Sequence, residues 1–187
     1  ERDAAYTEAL ARLERAGALF RCTCTRRQVR AAGGVYPGTC RDLGRPLAGE
    51  GTLRVRVEDA AIAFTDRLAG PVSQNLAREV GDFVVRRRDG LIAYQLAVVV
   101  DDAAAGVTDV VRGVDLLDST PRQIHLQRLL GLPTPRHLHH PVLSTREGDK
   151  LSKQTGAAGV DVERPGENLW QALALLGHPP PDEMRTA

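Results

Sequence analysis

The fold is decided by residues 109–131, which read DVVRGVDLLDSTPRQIHLQRLLG. The first residues of this stretch predict a short strand that ends at Gly113. The following residues predict a helix, because apolar side chains recur at helical spacing until Gly131. The stretch therefore predicts a strand and a helix in direct succession.

Both ends of this helix carry recognisable signals. Thr120 is the predicted N-cap, Pro121 takes the first helical position, and Gln123 stands where a capping box requires Glu or Gln. Gly131 ends the helix, and Pro133 beyond it is a second stop signal. The helix is thus predicted to begin after Thr120 and to end at Gly131.

Further helices and strands are predicted on both sides of this stretch. The predicted helices share apolar residues at helical spacing and a glycine at the end: residues 6–17 and 169–177. The predicted strands are short apolar or alternating runs: residues 53–57, 83–85, 92–100 and 137–143. Strands and helices mix without an internal repeat, which indicates an α/β fold.

The composition excludes several classes of protein. The chain has 187 residues, of which 42% are hydrophobic and 26% charged, with a formal net charge of +1. It is too apolar for intrinsic disorder, and no apolar run approaches the roughly 20 residues of a membrane helix, so we expect no membrane partner. The near-neutral charge argues against a polyanion binder as a whole. Two arginine clusters, within residues 26–30 and at residues 86–88, form either a solvated face or a contact with phosphate.

All three cysteines lie in a turn-rich segment, residues 20–50, that lacks its own apolar core. An odd number of cysteines does not fit a disulfide framework and favours a reducing compartment, the cytoplasm. Thiolates bind Zn²⁺, and a structural zinc ion would supply the missing order. Spacing alone leaves two interpretations equally open. One is a zinc site at Cys22, Cys24 and Cys40, with Tyr36 or a water as fourth ligand, and the other is three buried thiols.

A second apparent metal-binding pattern consists of histidines: His125, His137, His139 and His140. On a strand, His137 and His139 would share one face, and His140 would point away from it. We interpret residues 137–140 as the polar edge of a strand rather than as a metal site.

Only two of the 25 Lys and Arg residues are lysines, Lys150 and Lys153. They follow an acidic turn that contains Gly148, as expected of a mobile loop. Two ammonium groups three residues apart suit a polyphosphate, because phosphoryl and nucleotidyl transfer need compact, strongly hydrated point charges. Their presence in an arginine-rich chain favours a phosphate-binding loop.

Together these motifs resemble the class I aminoacyl-tRNA synthetases of the glutamate group. Residues 150–154, KLSKQ, are similar to the Lys-Met-Ser-Lys-Ser loop of that family. Residues 93–102, AYQLAVVVDD, resemble its substrate strand. Residues 111–120, VRGVDLLDST, resemble its Arg-Gly-x-Asp-Leu-Leu-x-Ser-Thr signature. The resemblance covers nearly the whole chain.

A narrower resemblance comes from the cysteine-rich segment. The spacing of Cys22, Cys24, Tyr36 and Cys40 is similar to the zinc site of the glutamyl-queuosine tRNA(Asp) synthetases, short paralogues without an anticodon-binding domain. The resemblance implies a zinc ion with Tyr36 as its fourth ligand.

The resemblance also implies an activity. Such an enzyme activates L-glutamate with ATP, with Mg²⁺ as the expected companion ion, and transfers the glutamyl group to the queuosine base of tRNA(Asp). By this resemblance Tyr94 and Arg112 would bind glutamate. Lys153, supported by Lys150, would bind ATP and act in catalysis. We expect a cytoplasmic monomer.

The implied architecture is an incomplete Rossmann-like class I aminoacyl-tRNA synthetase catalytic domain with a zinc-binding insertion. Residues 1–19 would be the end of a helix of the first Rossmann half, residues 20–82 the zinc-bearing insertion, and residues 83–187 the second half with the KLSKQ loop and a C-terminal helix. The family carries a His-Ile-Gly-His-type motif near its N-terminus, which is not found in this sequence, so we expect the C-terminal portion of such an enzyme. Two alternatives are a fragment of a discriminating glutamyl-tRNA synthetase and a non-catalytic zinc- and RNA-binding remnant.

Overall fold

The computed structural model describes residues 2–144, 150–151 and 159–181. The helices are α1 (Asp3–Arg15), α2 (Arg26–Ala31), α3 (Leu76–Glu79), α4 (Tyr94–Ala104), α5 (Thr120–Leu130) and α6 (Pro165–Leu175). The strands are β1 (Leu19–Cys22), β2 (Thr52–Val55), β3 (Ala61–Asp66), β4 (Gly70–Asn75), β5 (Phe83–Arg86), β6 (Asp109–Gly113) and β7 (Arg136–His140). A 3-10 helix, Val114–Ser119, connects β6 to α5.

The strands form two sheets. One is antiparallel with the order β1-β2-β5, and the other is mixed with the order β4-β3-β7-β6. In the mixed sheet β3 and β4 form an antiparallel hairpin, whereas β7 runs parallel to both β3 and β6. The register of β6 and β7 sets Arg112 opposite His139.

Residues 109–131 form the predicted strand and helix. β6 leads through the 3-10 helix into α5, and β7 then returns parallel to β6. Two parallel strands joined by a helix are a basic unit of α/β folds. α5 buries Ile124, Leu126 and Leu130, and Gly131 ends it in the left-handed conformation with a φ of 59°.

The main apolar core joins α1, α4 and α5 to the strands of both sheets. Leu13, Leu96 and Leu126 come from the three helices and have no exposed surface. Complete burial of one such side chain stabilises a fold by about 2 kcal/mol. A second, smaller cluster surrounds the cysteines.

Residues 94–100 form part of a helix and not the predicted strand. α4 begins after Ala93, and it buries Leu96, Val99 and Val100, which follow the i, i+3, i+4 spacing of one helical face. The run of valines favours a strand locally. Burial of the apolar face against α1 and α5 outweighs that local preference.

Thr120 is the first residue of α5 and not its N-cap. Its backbone is helical, with φ −59° and ψ −46°, and the residue before it makes no capping hydrogen bond through its side chain. The Thr120 hydroxyl instead accepts a hydrogen bond from Arg112, and the side-chain carbonyl of Gln123 accepts another. The partly buried guanidinium therefore uses the two side chains that the sequence assigns to a capping box.

The remaining elements agree with the sequence in part. The structure confirms the segments predicted for α1, β2, β5, β6 and α6, and it shows that β7 is shorter than predicted. The sequence pattern missed the β3–β4 hairpin, and it missed α2 within the turn-rich segment. α2 begins with a true capping box, in which Thr25 and Gln28 bond each other's backbone amides.

The chain divides into two compact units, residues 1–141 and 142–187. The first unit contains both sheets and the helices α1 to α5. The second contains α6, which has no buried residue, and a strand-like bridge between Ser144 and Lys150. The division into residues 1–19, 20–82 and 83–187 stays a prediction. Among the described residues, every helix is too short or too polar to cross a membrane.

Gly81 lies where the backbone requires glycine. Its φ is 73°, and a Cβ atom there would lie 2.6 Å from the carbonyl oxygen of Tyr36 and 2.7 Å from its nitrogen. We expect Gly81→Ala to lower the free energy of unfolding by about 3 kcal/mol, because alanine must adopt a disfavoured φ and displace the Tyr36 backbone. Urea denaturation measures this loss.

Gly70→Ala is the matched control. Gly70 has a φ of 79°, but a Cβ atom there would have no neighbour within 4 Å. Its substitution is expected to cost only the conformational term of about 1 kcal/mol. Equal losses for the two variants would contradict a steric role of Gly81 against Tyr36.

Candidate functional site

Three thiols meet at the end of β1. Cys22 ends the strand, Cys24 precedes α2, and Cys40 comes from the loop after α2. Their Sγ atoms lie within 4.8 Å of one another, and those of Cys24 and Cys40 are 3.7 Å apart. Within the described ranges this is the one cluster of three or more metal-ligating side chains. The structure therefore brings together the three cysteines of the predicted metal site.

Tyr36 lies buried beside these thiols. Its hydroxyl oxygen accepts a hydrogen bond of 2.8 Å from the backbone amide of Cys40. The Arg54 guanidinium lies 4.0 Å from the centre of the Tyr36 ring, and the Tyr36 amide donates to the Val80 carbonyl. These contacts hold the phenol beside the cysteine cluster, and its role as a fourth ligand stays a prediction.

The donor set fits a metal ion. Four-coordinate zinc has Zn–S distances of about 2.3 Å, which separates two sulfur ligands by about 3.8 Å. Burial and the bond to Cys40 raise the pKa of Cys24 to about 11. Burial acts in the same direction on Cys40, but hydrogen bonds from the Thr23 amide and from Cys24 lower its pKa to about 7. Cys40 thus supplies a thiolate near neutral pH, and a bound cation would favour ionisation of the others.

Arg112 is the centre of a second cluster, on β6. Its Nε donates to Nε2 of His139 at 3.0 Å. Its Nη2 donates to Oγ1 of Thr120 at 2.8 Å and to Oε1 of Gln123 at 2.9 Å, and more weakly to the Leu116 carbonyl at 3.3 Å. These bonds anchor one edge of the guanidinium and do not use Nη1.

The charge of Arg112 is influenced by residues from two other segments. Burial lowers the pKa of Arg112, whereas Tyr94, Asp102 and Asp115 favour its charged form. Tyr94 is the first residue of α4, and 51% of it is exposed. The structure therefore brings the two predicted glutamate-binding residues, Tyr94 and Arg112, to the same place. Their binding role stays a prediction.

A buried carboxylate orients His139. Oδ2 of Asp66 accepts the Nδ1 hydrogen of His139 at 2.7 Å, and both side chains are fully buried. Oδ1 of Asp66 accepts hydrogen bonds from the amides of Leu68, Ala69 and His139. Burial opposes ionisation, but these hydrogen bonds lower the pKa of Asp66 far below its ordinary value. Since Nδ1 carries the hydrogen, Nε2 of His139 is the acceptor that Arg112 needs.

Two glutamines extend this network to α4. Nε2 of Gln123 donates to Oε1 of Gln95 at 3.0 Å, and Nε2 of Gln95 donates to Oγ of Ser119 at 3.0 Å. Gln95 directly follows Tyr94 in the chain. The position of Tyr94 is thereby coupled to that of Arg112.

The histidines form no metal site in the part of the chain that the structure describes. His137 stacks on His139 with ring centroids 6.1 Å apart, and both rings are buried, so they share a face but are not a polar strand edge. Burial, with the positive charge of Arg112 and the neighbouring His139, lowers the pKa of His137 to about 4. His125 lies elsewhere, where its Nε2 is 2.7 Å from the Arg56 carbonyl oxygen.

The predicted phosphate-binding lysines belong to the second compact unit. Lys150 pairs with Ser144, and the Leu151 amide donates to the Leu143 carbonyl at 2.8 Å. Lys153 lies outside the described residues. The roles of both lysines stay predictions.

Sequence reasoning missed Asp66 and its link to His139. A signal for Asp66 exists, because residues 61–66 alternate so that Asp66 shares a face with Ile62 and Phe64. A carboxylate on an apolar face indicates a buried partner. The identity of that partner depends on the pairing of β3 with β7, which brings together residues 73 positions apart.

The comparisons with known proteins define the class to which this chain belongs. Residues 43–184 match the family described as tRNA synthetases class I (E and Q), catalytic domain. The chain belongs to this family of class I tRNA synthetases. The predicted α/β fold of the class I synthetase catalytic domain is thereby confirmed.

Among its relatives are proteins named glutamyl-Q tRNA(Asp) synthetase. That of Methylococcus capsulatus is 58% identical over 180 residues, which cover 96% of this chain and 60% of the relative. That of Thiobacillus denitrificans is 53% identical over 194 residues, which cover 100% of this chain and 64% of the relative. That of Ectopseudomonas mendocina is 51% identical over 187 residues, which cover 100% of this chain and 63% of the relative. The chain thus spans less than two thirds of the length of these relatives.

Solved structures share the fold. A glutamate-tRNA synthetase from Elizabethkingia anophelis superimposes with a TM-score of 0.69 at 24% identity and covers 83% of this chain and 36% of the other. A glutamate tRNA ligase from Elizabethkingia meningosepticum, in complex with its amino acid, gives a TM-score of 0.68 with the same identity and coverage. At 24% identity this similarity shows a shared fold alone.

Asp66→Asn tests the buried network. The variant leaves donors facing one another and removes a charge that accepts four hydrogen bonds, so we expect a loss of about 3 kcal/mol in the free energy of unfolding at pH 7. The folded-state pKa of Asp66 is lowered. The wild-type advantage is therefore present above the unfolded pKa of about 3.9 and declines as pH falls below it.

Asp59→Asn is the control. Asp59 is exposed and bonds Arg78 and Asn75 at the surface, where such a pair contributes less than about 1 kcal/mol. Urea denaturation from pH 7 to pH 3 measures both variants. Equal, pH-independent losses would contradict the proposed charge on Asp66.

Proposed function

We propose that this chain is the part of a glutamyl-queuosine tRNA(Asp) synthetase that recognises glutamate. In the proposed reaction L-glutamate and ATP give glutamyl-adenylate and pyrophosphate, and the glutamyl group then passes to the queuosine base of tRNA(Asp). The observation that carries the proposal is the guanidinium of Arg112. It is held by His139, Thr120 and Gln123 beside the half-exposed Tyr94.

Arg112 suits the recognition of a carboxylate. A guanidinium is planar and always charged, and it donates hydrogen bonds to a carboxylate in its own plane. Protein acceptors already take the hydrogens of Nε and Nη2, which fixes the plane of the group in advance and reduces the entropy lost on binding. Nη1 is then the nitrogen that would donate to the carboxylate of glutamate. Tyr94 contributes a phenol at the same place, which would act as a second hydrogen-bonding group for glutamate.

The relatives support the queuosine-directed reaction over ordinary charging of tRNA(Glu). Three relatives that are at least half identical to this chain all carry the name glutamyl-Q tRNA(Asp) synthetase. The structural likeness to glutamate-tRNA synthetases supports the shared fold only. The proposed partners are therefore L-glutamate, ATP and tRNA(Asp).

ATP would be bound through the lysine loop. Lys153 would stabilise the triphosphate during adenylate formation, with Lys150 in support and Mg²⁺ as the companion ion. An ammonium group is a compact point charge that can follow the oxygens as pyrophosphate leaves. Three free cysteines are consistent with the reducing cytoplasm, and we expect the protein to act there as a monomer.

The cysteine cluster would hold a structural zinc ion. Cys22, Cys24 and Cys40 would be the thiolate ligands, and Tyr36 the fourth ligand. When bound, zinc would contribute folding free energy to a segment with a small apolar core. It would order the loop between α2 and β2 and take no part in the reaction.

Cys24→Ser tests the zinc site. Wild-type protein is expected to bind one zinc ion per chain, and the serine variant to bind it at least about 100-fold more weakly, because a neutral hydroxyl replaces a thiolate. Titration with zinc against a competing chelator measures the affinity. Cobalt substitution reports the thiolates through their charge-transfer absorption.

Two further variants refine this test. Thr23→Ser lies between two cysteines and keeps a hydroxyl, so it is the control and should retain zinc affinity. Tyr36→Phe removes only the phenol oxygen and should change the visible bands of bound cobalt if Tyr36 is a ligand. Wild-type protein that binds no zinc, or Cys24→Ser protein that binds it normally, would refute the site.

Glutamate-dependent ATP–pyrophosphate exchange tests the activity. It is measured with the 187-residue chain, and also with the Methylococcus capsulatus relative after its corresponding 180 residues are replaced by those of this chain. Exchange without tRNA supports the queuosine-directed enzyme, and exchange only with tRNA supports a glutamyl-tRNA synthetase. The absence of exchange in both proteins would indicate a non-catalytic remnant.

The same assay tests the residues. Arg112→Lys should raise the KM for glutamate by about 10- to 100-fold, because lysine lacks the planar group that His139, Thr120 and Gln123 hold in place. Lys153→Arg should mainly lower kcat. Arg136→Lys is the control, since Arg136 is an exposed residue paired with Asp109 on the same sheet. An unchanged KM for Arg112→Lys would refute its role in glutamate binding.

A further inference from the structure

The two arginine clusters of the sequence line one cleft in the first compact unit. This cleft, of about 780 Å³, lies between α2, β2 and the turn after β5. Five arginines surround it: Arg26 and Arg30 from α2, Arg54 from β2, and Arg87 and Arg88 from the turn. Residues that are up to 62 positions apart in the chain thus contribute charge to one concave surface.

Most of this charge is not neutralised. Asp89 is the acidic residue of the cleft, and Oδ2 of Asp89 lies 2.6 Å from Nη2 of Arg87. Arg54 and Arg88 donate to the backbone carbonyls of Asp82 and Thr23, which leaves their charges in place.

The two arginines from α2 are the most available. Among the described residues, Arg26 and Arg30 form neither an ion pair nor a side-chain hydrogen bond, and both are exposed. α2 has no buried residue, so its arginines are not needed to cover the core. The cleft therefore carries a net charge of about +4, which favours an anionic ligand.

The size of the cleft and the residues that line it indicate which kind of anion it binds. The residues that line it include the apolar Val29, Val84 and Ala93. A cavity of this volume accepts a small molecule or one to two nucleotides, whereas a double helix is too wide to enter it. Arginines suit phosphates and also stack on bases, and apolar surface suits the face of an unpaired base.

We infer that this arginine cleft binds unpaired RNA nucleotides, with phosphates at Arg26 and Arg30 and a base against the apolar residues Val29, Val84 and Ala93. The inference rests on the proposed function, because that function makes tRNA the RNA that enters the cleft. Ala93 lines the cleft and directly precedes Tyr94, so RNA in the cleft lies next to the proposed glutamate pocket. Cys24 lines it as well, so the cysteine cluster shapes its wall.

Fluorescence anisotropy with the 187-residue chain and a labelled RNA hairpin tests this inference. The hairpin carries an unpaired loop, and the comparison probes are the same stem as a blunt duplex and inorganic phosphate as competitor. We expect the hairpin to bind more tightly than the duplex. Arg26→Gln and Arg30→Gln should each weaken hairpin binding about 5-fold and reduce the slope of log K against log salt by about 0.7.

Arg27→Gln is the matched control. Arg27 lies on α2 between the other two positions and is exposed, but it does not line the cleft. It should leave hairpin affinity within about 2-fold of the wild type. Equal losses at all three arginines, equal binding of hairpin and duplex, or no binding of the hairpin would each overturn the inference.

The measurement contains neither glutamate nor ATP. Failure of pyrophosphate exchange therefore leaves the RNA-binding result intact, and failure of RNA binding leaves the exchange result intact. Far-UV circular dichroism of the three variants verifies that α2 and the sheets remain folded.

Discussion

The buried carboxylate of Asp66 determines how the mixed sheet meets α5. A charge without access to water is tolerated only when hydrogen bonds replace its hydration, and here one side chain and three backbone amides do so. The bond to His139 ties the end of β3 to β7. His139 in turn accepts from Arg112 on β6, and Arg112 reaches Thr120 at the start of α5. One chain of polar contacts thus links the strands β3, β7 and β6 to the start of α5.

This constraint explains the arrangement of the proposed glutamate site. Because Nε and Nη2 of Arg112 already have protein acceptors, the guanidinium has a fixed plane before any ligand arrives. The hydrogen bond between Gln123 and Gln95 extends this network to the first turn of α4, where Tyr94 lies. The cysteine cluster is a separate source of order. It packs the loop after α2 against β1, and Cys24 lines the arginine cleft.

Local signals were sufficient for much of the fold. Glycines in the left-handed conformation end α1 and α5 near the predicted positions, and alternation identified β2. The failures have a common cause. The valines of α4 favour a strand when judged alone, and Thr120 and Gln123 resemble a capping box when judged alone. In α4 burial against distant residues outweighed a local preference of less than about 1 kcal/mol per residue. At the start of α5 the hydrogen bonds from Arg112 took the two side chains instead.

The sequence by itself determined the α/β class, the cysteine spacing and the motifs that resemble the synthetase family, because these depend on residue types at short separations. The spacing of the thiols left a metal site and three buried thiols equally open, and the structure brings the three Sγ atoms within 4.8 Å of one another. Only the tertiary structure decided which groups face one another. Asp66 and His139 are 73 positions apart, and the arginines of the cleft come from three separate segments. Such contacts arise from strand pairing and packing, and no local pattern of residues encodes them.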